Sequence, residues 1–263
     1  MDEFRILQWD WSFDGPWSEV AETKYQEGGF NGLSLSGTSD TLPDLEFLHR
    51  LAGLRVLRVQ ARVRNDASAF LLTSLEELSL VTGSKVPMPG AVQPALRNLV
   101  MAYRPGIEVA SRWPGLESFR VGMWRDADLQ MLSGARKLAR FYAEGRRQAG
   151  SLEGIEGCSS VEQIIIVDYS ITSTAPLSAL NILSELRMMA APPAPAHENI
   201  NLADLPNSRL RKLWISNASR LDHVEALLEM PLLRDVRLIG CRLEDADRSV
   251  LDMLSARAQV DVL

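Results

Sequence analysis

Two cysteines and three histidines are all the thiol and imidazole side chains that this 263-residue chain offers. Cys158 and Cys241 are too few for a disulfide framework or a thiolate zinc site. His49, His197 and His223 are scattered, none with a second histidine at i+4 or a cysteine at zinc-ligand spacing. Metal catalysis therefore has no support, and no metal or cofactor is expected. A GxSxG turn, a phosphate-cradling glycine loop and a kinase signature are all missing, and the glycines of "GGFNGLSLSG" lack dinucleotide-binding spacing, so they read as turn residues. No apolar stretch reaches the roughly 18 residues of a membrane span. The start, "MDEFRILQWDW", has neither a basic segment nor a long apolar run, so a secretory signal is not expected and the setting is expected to be cytoplasmic. Positive charge is in deficit as well: 28 Lys and Arg face 34 Asp and Glu, for a net charge of −6. That balance argues against general affinity for nucleic acid or anionic membranes.

What the chain has is leucine, roughly 15% of residues and well above ordinary usage. "LEFLHRLAGLRVLRV", from Leu45, places an aliphatic residue at every third position and then tightens to a gap of two at Leu57 and Val59. A period of three drifts about 60° per step on an α-helix, whereas a gap of two is the period of a half-buried strand. The segment therefore reads as a tight helical or 3₁₀ turn running into a short strand. "LEGIEGCSSVEQIIIV", from Leu152, repeats it through Ile155, Cys158, Val161, Ile164 and Ile166. Further copies start at Ile107, Leu129, Leu177 and Val224, and shorter ones at Phe4, Phe30, Leu75, Leu96 and Leu210. Both cysteines follow this spacing and are expected to be buried as small hydrophobes.

The recurring L-x-x-L-x-L core, at intervals of about 20 to 27 residues, resembles that of leucine-rich repeat proteins, in a form similar to short bacterial repeats. The resemblance covers nearly the whole chain and implies an α/β fold: a curved solenoid with a concave parallel β-sheet and short helical or 3₁₀ turns on its convex side. It also implies a protein-protein interaction module rather than an enzyme. One departure matters. The family's turn asparagine is mostly replaced, by Arg62, Gly83, Arg104, Trp124, Arg146, Tyr169 and Ala191, with Cys241 the best match. An irregular solenoid is expected from that loss of a backbone-satisfying ladder.

One domain over residues 1–263 is expected. Residues 1–43 would form an N-terminal cap and irregular first repeats, with Trp9, Trp11 and Trp17 covering the stack. Residues 44–240 would be the repeats, and 241–263 the last repeat and cap, ending in the strand "VDV". Arg257 falls where a core leucine is due, which places it at an edge. The acidic run Glu244, Asp245 and Asp247 is expected to cap a helix start, with Asp245 or Asp247 favoured by the macrodipole, and Arg146 and Arg147 are expected to lie in a solvated turn. "AAPPAPAHENIN", Ala190 to Asn201, is read as an extended rim loop, with a recognition loop as the sharper alternative.

If the leucines point inward, alternation sends one column of side chains to solvent: Gln8, Ser34, Arg58, Ser79, Val100, Arg120, Tyr142, Ile165, Arg187, Trp214, Arg237 and Asp261. It begins small and polar and becomes aromatic and arginine-rich from Arg120. A flanking column adds Val167, Met189 and Ile239. Such side chains are those of interface hot spots. Interspersed Glu144, Glu185, Asp235 and Asp261 suit a protein partner better than a phosphate backbone. The candidate partner-binding residues are thus Arg120, Tyr142, Ile165, Val167, Arg187, Met189, Trp214, Arg237 and Ile239. A small solenoid of this kind, monomeric when unbound, suits a toxin-neutralising immunity protein in a bacterial cytoplasm. A scaffold or regulatory adaptor is the alternative, and an enzyme at the Pro-rich loop the remaining one. An ordinary solvent-exposed sheet face is the bland reading of the same residues.

Overall fold

The computed structural model describes residues 3–38, 41–192, 196–198, 200–206 and 208–263. The main strands are β1 (Ile6–Asp10), β2 (Gly32–Ser36), β3 (Val56–Gln60), β4 (Glu77–Leu80), β5 (Asn98–Ala102), β6 (Ser118–Trp124), β7 (Arg140–Gly150), β8 (Gln163–Ile171), β9 (Glu185–Met189), β10 (Lys212–Ser216), β11 (Asp235–Ile239) and β12 (Gln259–Val262). These twelve form a parallel sheet in sequence order. Eight 3₁₀ helices lie between strands among the described residues, from Glu46–Arg50 to Val224–Glu229.

The leucine beat has a direct cause here. A 3₁₀ helix makes one turn per three residues, so a step of three keeps every side chain on one face. Leu45, Leu48, Leu51 and Leu54 are all buried around Glu46–Arg50, and Leu57 and Val59 continue the core from β3. Val224, Leu227, Met230 and Leu233 do the same before β11. Successive turns stack closely enough to constrain backbone type. Gly154 has φ 100°, and a Cβ there would lie 2.4 Å from the Gln130 backbone of the preceding repeat.

By contact density the chain divides into two compact units, Met1–Arg120 and Val121–Leu263. In the first, β1 is followed by α1 (Trp11–Asp14) and α2 (Glu19–Glu27). Trp17 stacks on Phe47 at 4.7 Å and meets Trp9 edge-on at 5.5 Å, while the Trp9 indole donates to the Gly15 carbonyl. Trp11 is only half-buried. The segment expected to be least regular thus supplies two ordinary sheet strands. The core of this unit also holds a charge pair: Arg104 Nη1 and Nη2 donate to the two Asp66 oxygens at 2.6 and 2.9 Å, and the Thr82 hydroxyl donates to Asp66 Oδ2 at 2.6 Å.

In the second unit, α3 (Asp245–Ser255) precedes β12, so "VDV" does form the final strand. The acidic run caps this helix as expected: Glu244 is the N-cap, Asp247 answers from N3 in a reciprocal capping box, and Asp245 lies in the first turn. Arg257 is exposed at the edge, where it donates to the carbonyls of Leu227, Leu228 and Met230, in and just past the last turn of Val224–Glu229. Arg146 and Arg147 are exposed but not in a simple turn. They sit in β7 at a bulge, where three residues after Glu144 oppose Asp168 alone and Arg147 takes φ 60°.

Of the positions standing in for turn asparagines, Arg104, Trp124 and Tyr169 are buried, and the Tyr169 hydroxyl donates to the Asp126 carbonyl at 3.1 Å. Arg62, Gly83, Arg146 and Ala191 are exposed. The polar work of a ladder is therefore done in part by unlike side chains. Cys158 is fully buried, its thiol pushed up to about 12 by burial. Cys241 is half-buried instead of sealed, because the following strand-end segment leaves it near the surface; its Sγ approaches the Ile215 carbonyl at 3.5 Å. Both are free thiols.

Candidate functional site

In the C-terminal unit one face of a strand such as β9 or β11 packs into the core while the other stays partly open to solvent. The burial pattern shows it: β9 and β11 alternate half-buried and buried along all five residues. On the uncovered face the strands align side chains into rows. Tyr142 pairs with Ile165, Ile165 with Arg187, Arg187 with Trp214, Trp214 with Arg237, and Arg237 with Asp261. From Tyr142 to Asp261 the column read from the sequence is the column the sheet builds. Arg120, exposed on β6, is the last residue of the N-terminal unit.

A second row runs Val167, Met189, Ser216, Ile239, and a third runs Gln163, Glu185, Lys212, Asp235, Gln259. The face is thus graded across its width. One edge is charged, the middle combines cations with aromatic and aliphatic groups, and the other edge is mostly apolar.

At the centre stands Trp214. The Arg187 guanidinium lies 5.5 Å from its ring centroid and the Arg237 guanidinium 5.4 Å, one from each neighbouring strand. Both cations are themselves tethered. Arg187 pairs with Glu185, whose other oxygen accepts from Gln163 at 2.8 Å. Arg237 pairs with Asp235 at 3.3 Å and approaches Asp261 at 3.5 Å. The indole is therefore fixed by cation–π contacts on both sides, each worth about 0.5–1 kcal/mol at an exposed site. Its Nε1 is shielded and has no acceptor among the described residues.

Trp214 also separates two cavities. A cavity of about 290 Å³ is lined by Arg187, Lys212, Leu213, Trp214, Asp235 and Arg237. Another of about 430 Å³ includes Val167, Met189, Trp214 and Ile239 in its lining, with Asp168, Asn217 and Gly240 where the strands end. Those last three take φ 52°, 60° and 62°, a shared left-handed step at or just past the ends of the paired stretches of β8, β10 and β11. Sequence reasoning singled out the apolar row but not the left-handed step, although Gly, Asn and Asp are the residue types that adopt it most readily.

The Pro-rich segment borders this second cavity through Ala190, Ala191 and Pro192. Residues 193–195 and 199 lie outside the described residues. Its return is held by His197, missed in the sequence: the buried ring accepts the Ile171 N–H at Nδ1 (2.9 Å), while its backbone N–H donates to Asn217 and its carbonyl accepts from Ser219. Burial pushes the imidazole down to about 4.

Among the described residues no group of three or more His, Cys, Asp or Glu side chains could hold a metal ion, and no helix is long and apolar enough to cross a membrane. His49 is exposed.

Stacked 3₁₀ turns and a parallel sheet in sequence order are the architecture of the leucine-rich repeat fold. A solved structure shares the fold: an internalin (InlF) of Listeria monocytogenes matches with a TM-score of 0.61 at 16% identity, over 92% of this chain and 82% of that one. A second internalin of that organism, InlC2, matches at 0.47 and 14% identity over 93% and 84% of the two chains. A leucine-rich repeat protein of Leptospira interrogans matches at 0.39 and 10% over 98% and 89%. No protein-family model and no curated protein matches the sequence.

Proposed function

We propose that this chain is a non-catalytic protein-binding module, working in a cytoplasm as a monomer when unbound, whose partner sits on the uncovered sheet face of its C-terminal half. The observation that carries this reading is the held indole: Trp214 sits between Arg187 and Arg237 in a row with Ile165 and Tyr142. Adjacent strands lie about 4.8 Å apart, so the row from Tyr142 to Arg237 spans roughly 19 Å, enough for the central anchors of a standard interface. Pre-fixing Trp214 reduces the side-chain ordering that binding must otherwise supply. Val167, Met189 and Ile239 belong to the proposed surface as flanking contacts.

In its narrower form the module is an immunity protein that occludes a bacterial toxin. One concentrated row favours that over a scaffold, which needs two separated surfaces. Affinity capture from the source cell, with wild-type and Trp214→Ala protein as baits, tests both forms. A single stoichiometric partner, lost with Trp214→Ala, is the expected result. With that partner purified, titration calorimetry should show Trp214→Ala weakening binding about 30-fold or more, the equivalent of about 2 kcal/mol. Ser34→Ala and Ser79→Ala, on the N-terminal strands, should leave the affinity unchanged. Equal affinity for Trp214→Ala, Tyr142→Ala and wild type would remove the site from this face.

A further inference from the structure

The two cavities flanking Trp214 ask for different chemistry from the same occupant. In the smaller, the lining carries three cations, Arg187, Lys212 and Arg237, against one carboxylate, Asp235. Arg187 commits Nε and Nη2 to Glu185, and Arg237 commits Nε to Asp235, with Asp261 Oδ2 3.5 Å from the same nitrogen. The other guanidinium N–H groups and the Lys212 ammonium have no acceptor among the described residues, although Lys212 pairs in register with both Glu185 and Asp235. Donors are in excess, and a charged acceptor satisfies them better than a neutral one. The larger cavity is walled by Val167, Met189, Ile239 and the Trp214 ring. Carbon surfaces of this kind hold water poorly and gain from an apolar side chain.

The spacing between these demands is set by the sheet. Arg187 and Met189 are two residues apart on β9, as are Arg237 and Ile239 on β11, which is about 6.6 Å along the strand. We infer that the site takes a partner segment presenting an Asp or Glu carboxylate and an aliphatic or aromatic side chain about 7 Å apart, straddling Trp214. The carboxylate enters among Arg187, Lys212 and Arg237; the apolar group enters between Met189 and Ile239. This rests on the protein-binding reading above and names the chemistry of that partner.

Phage-displayed random nonapeptides, selected on the folded protein and counter-selected on Trp214→Ala, test the pairing before any natural partner is identified. Enriched sequences should share an acidic residue two positions from Leu, Ile, Met or Phe. A synthetic consensus peptide should bind at least tenfold more weakly when its acid is changed to the amide, and likewise when its apolar residue becomes Ala. Selection on Lys212→Glu should lose the acidic preference, and selection on Ile239→Asp the apolar one, with circular dichroism confirming that both variants fold. No enrichment, enriched peptides without the pair, or an acidic preference that survives Lys212→Glu would each overturn the inference. Trp214-dependent capture of a natural partner alongside such a result would leave the protein-binding reading standing. Capture indifferent to Trp214 would remove that reading itself.

Discussion

Arg104 and Asp66, 38 residues apart in sequence, close a two-point ion pair whose side chains are 2% and 0% exposed. Removing one partner strands the other charge away from water, which costs about 3–5 kcal/mol in comparable buried pairs. Arg104→Met should therefore destabilise the protein by about that much in denaturant melts. The double variant Asp66→Leu with Arg104→Met should recover most of the loss, since well-packed apolar replacements of a buried pair are often neutral. A double variant no better than the single one would mean that the loss lies in packing around Phe70, over which the guanidinium sits, and not in charge.

The strand register separates neighbouring residues sharply. Leu57 and Ile164 are fully buried, whereas Arg58 is exposed and Gln163 half-buried. Leu57→Asp or Ile164→Asp should cost several kcal/mol and threaten folding. Arg58→Ala and Gln163→Ala should stay within about 0.5 kcal/mol. Comparable losses in both sets, read from urea midpoints, would contradict the register.

His197 predicts an acid-sensitive fold. Its folded value near 4 lies below the ordinary 6.5, because burial disfavours the cation. Between those values the unfolded chain binds a proton that the folded chain does not, so stability rises with pH across this window. The contribution is full above about pH 6.5 and is lost progressively as pH falls toward 4, at most on the order of 3 kcal/mol. His197→Gln should flatten that slope in melts run from pH 7 to 4; an unchanged slope would assign it to other groups.

The proposal of one domain over residues 1–263 predicts a single cooperative transition, seen coincidentally by circular dichroism and by tryptophan fluorescence. Separate transitions for the two contact-dense units would instead mark two folding units.

The solvent-facing column was legible because only two local facts determine it: leucine at steps of three and then two. Ile165, Arg187, Trp214 and Arg237 fall in register for that reason. What the sequence hid depends on distance. The Asp66–Arg104 pair, the His197 anchor and the Arg257 contacts each join side chains or carbonyls more than twenty residues apart, and no periodicity announces them. Trp214 was visible as an exposed aromatic; its double cation contact and its place between two cavities required the geometry of three strands. Cys241 kept the core spacing yet emerged half-buried, because spacing alone carries no information about how fully the next segment covers it.

Strand alternation also sets how this molecule can change over generations. Stability resides in the inward residues Ile164, Leu186, Leu213 and Val236, while the outward set between them is only half-buried. Substitutions in the outward set leave the stack intact, so selection can rewrite the exposed row one position at a time without passing through unfolded intermediates. The tethered trio of Arg187, Trp214 and Arg237 is the exception, since changing any one loosens the other two. Lineages should diverge fastest around that trio and slowest within it.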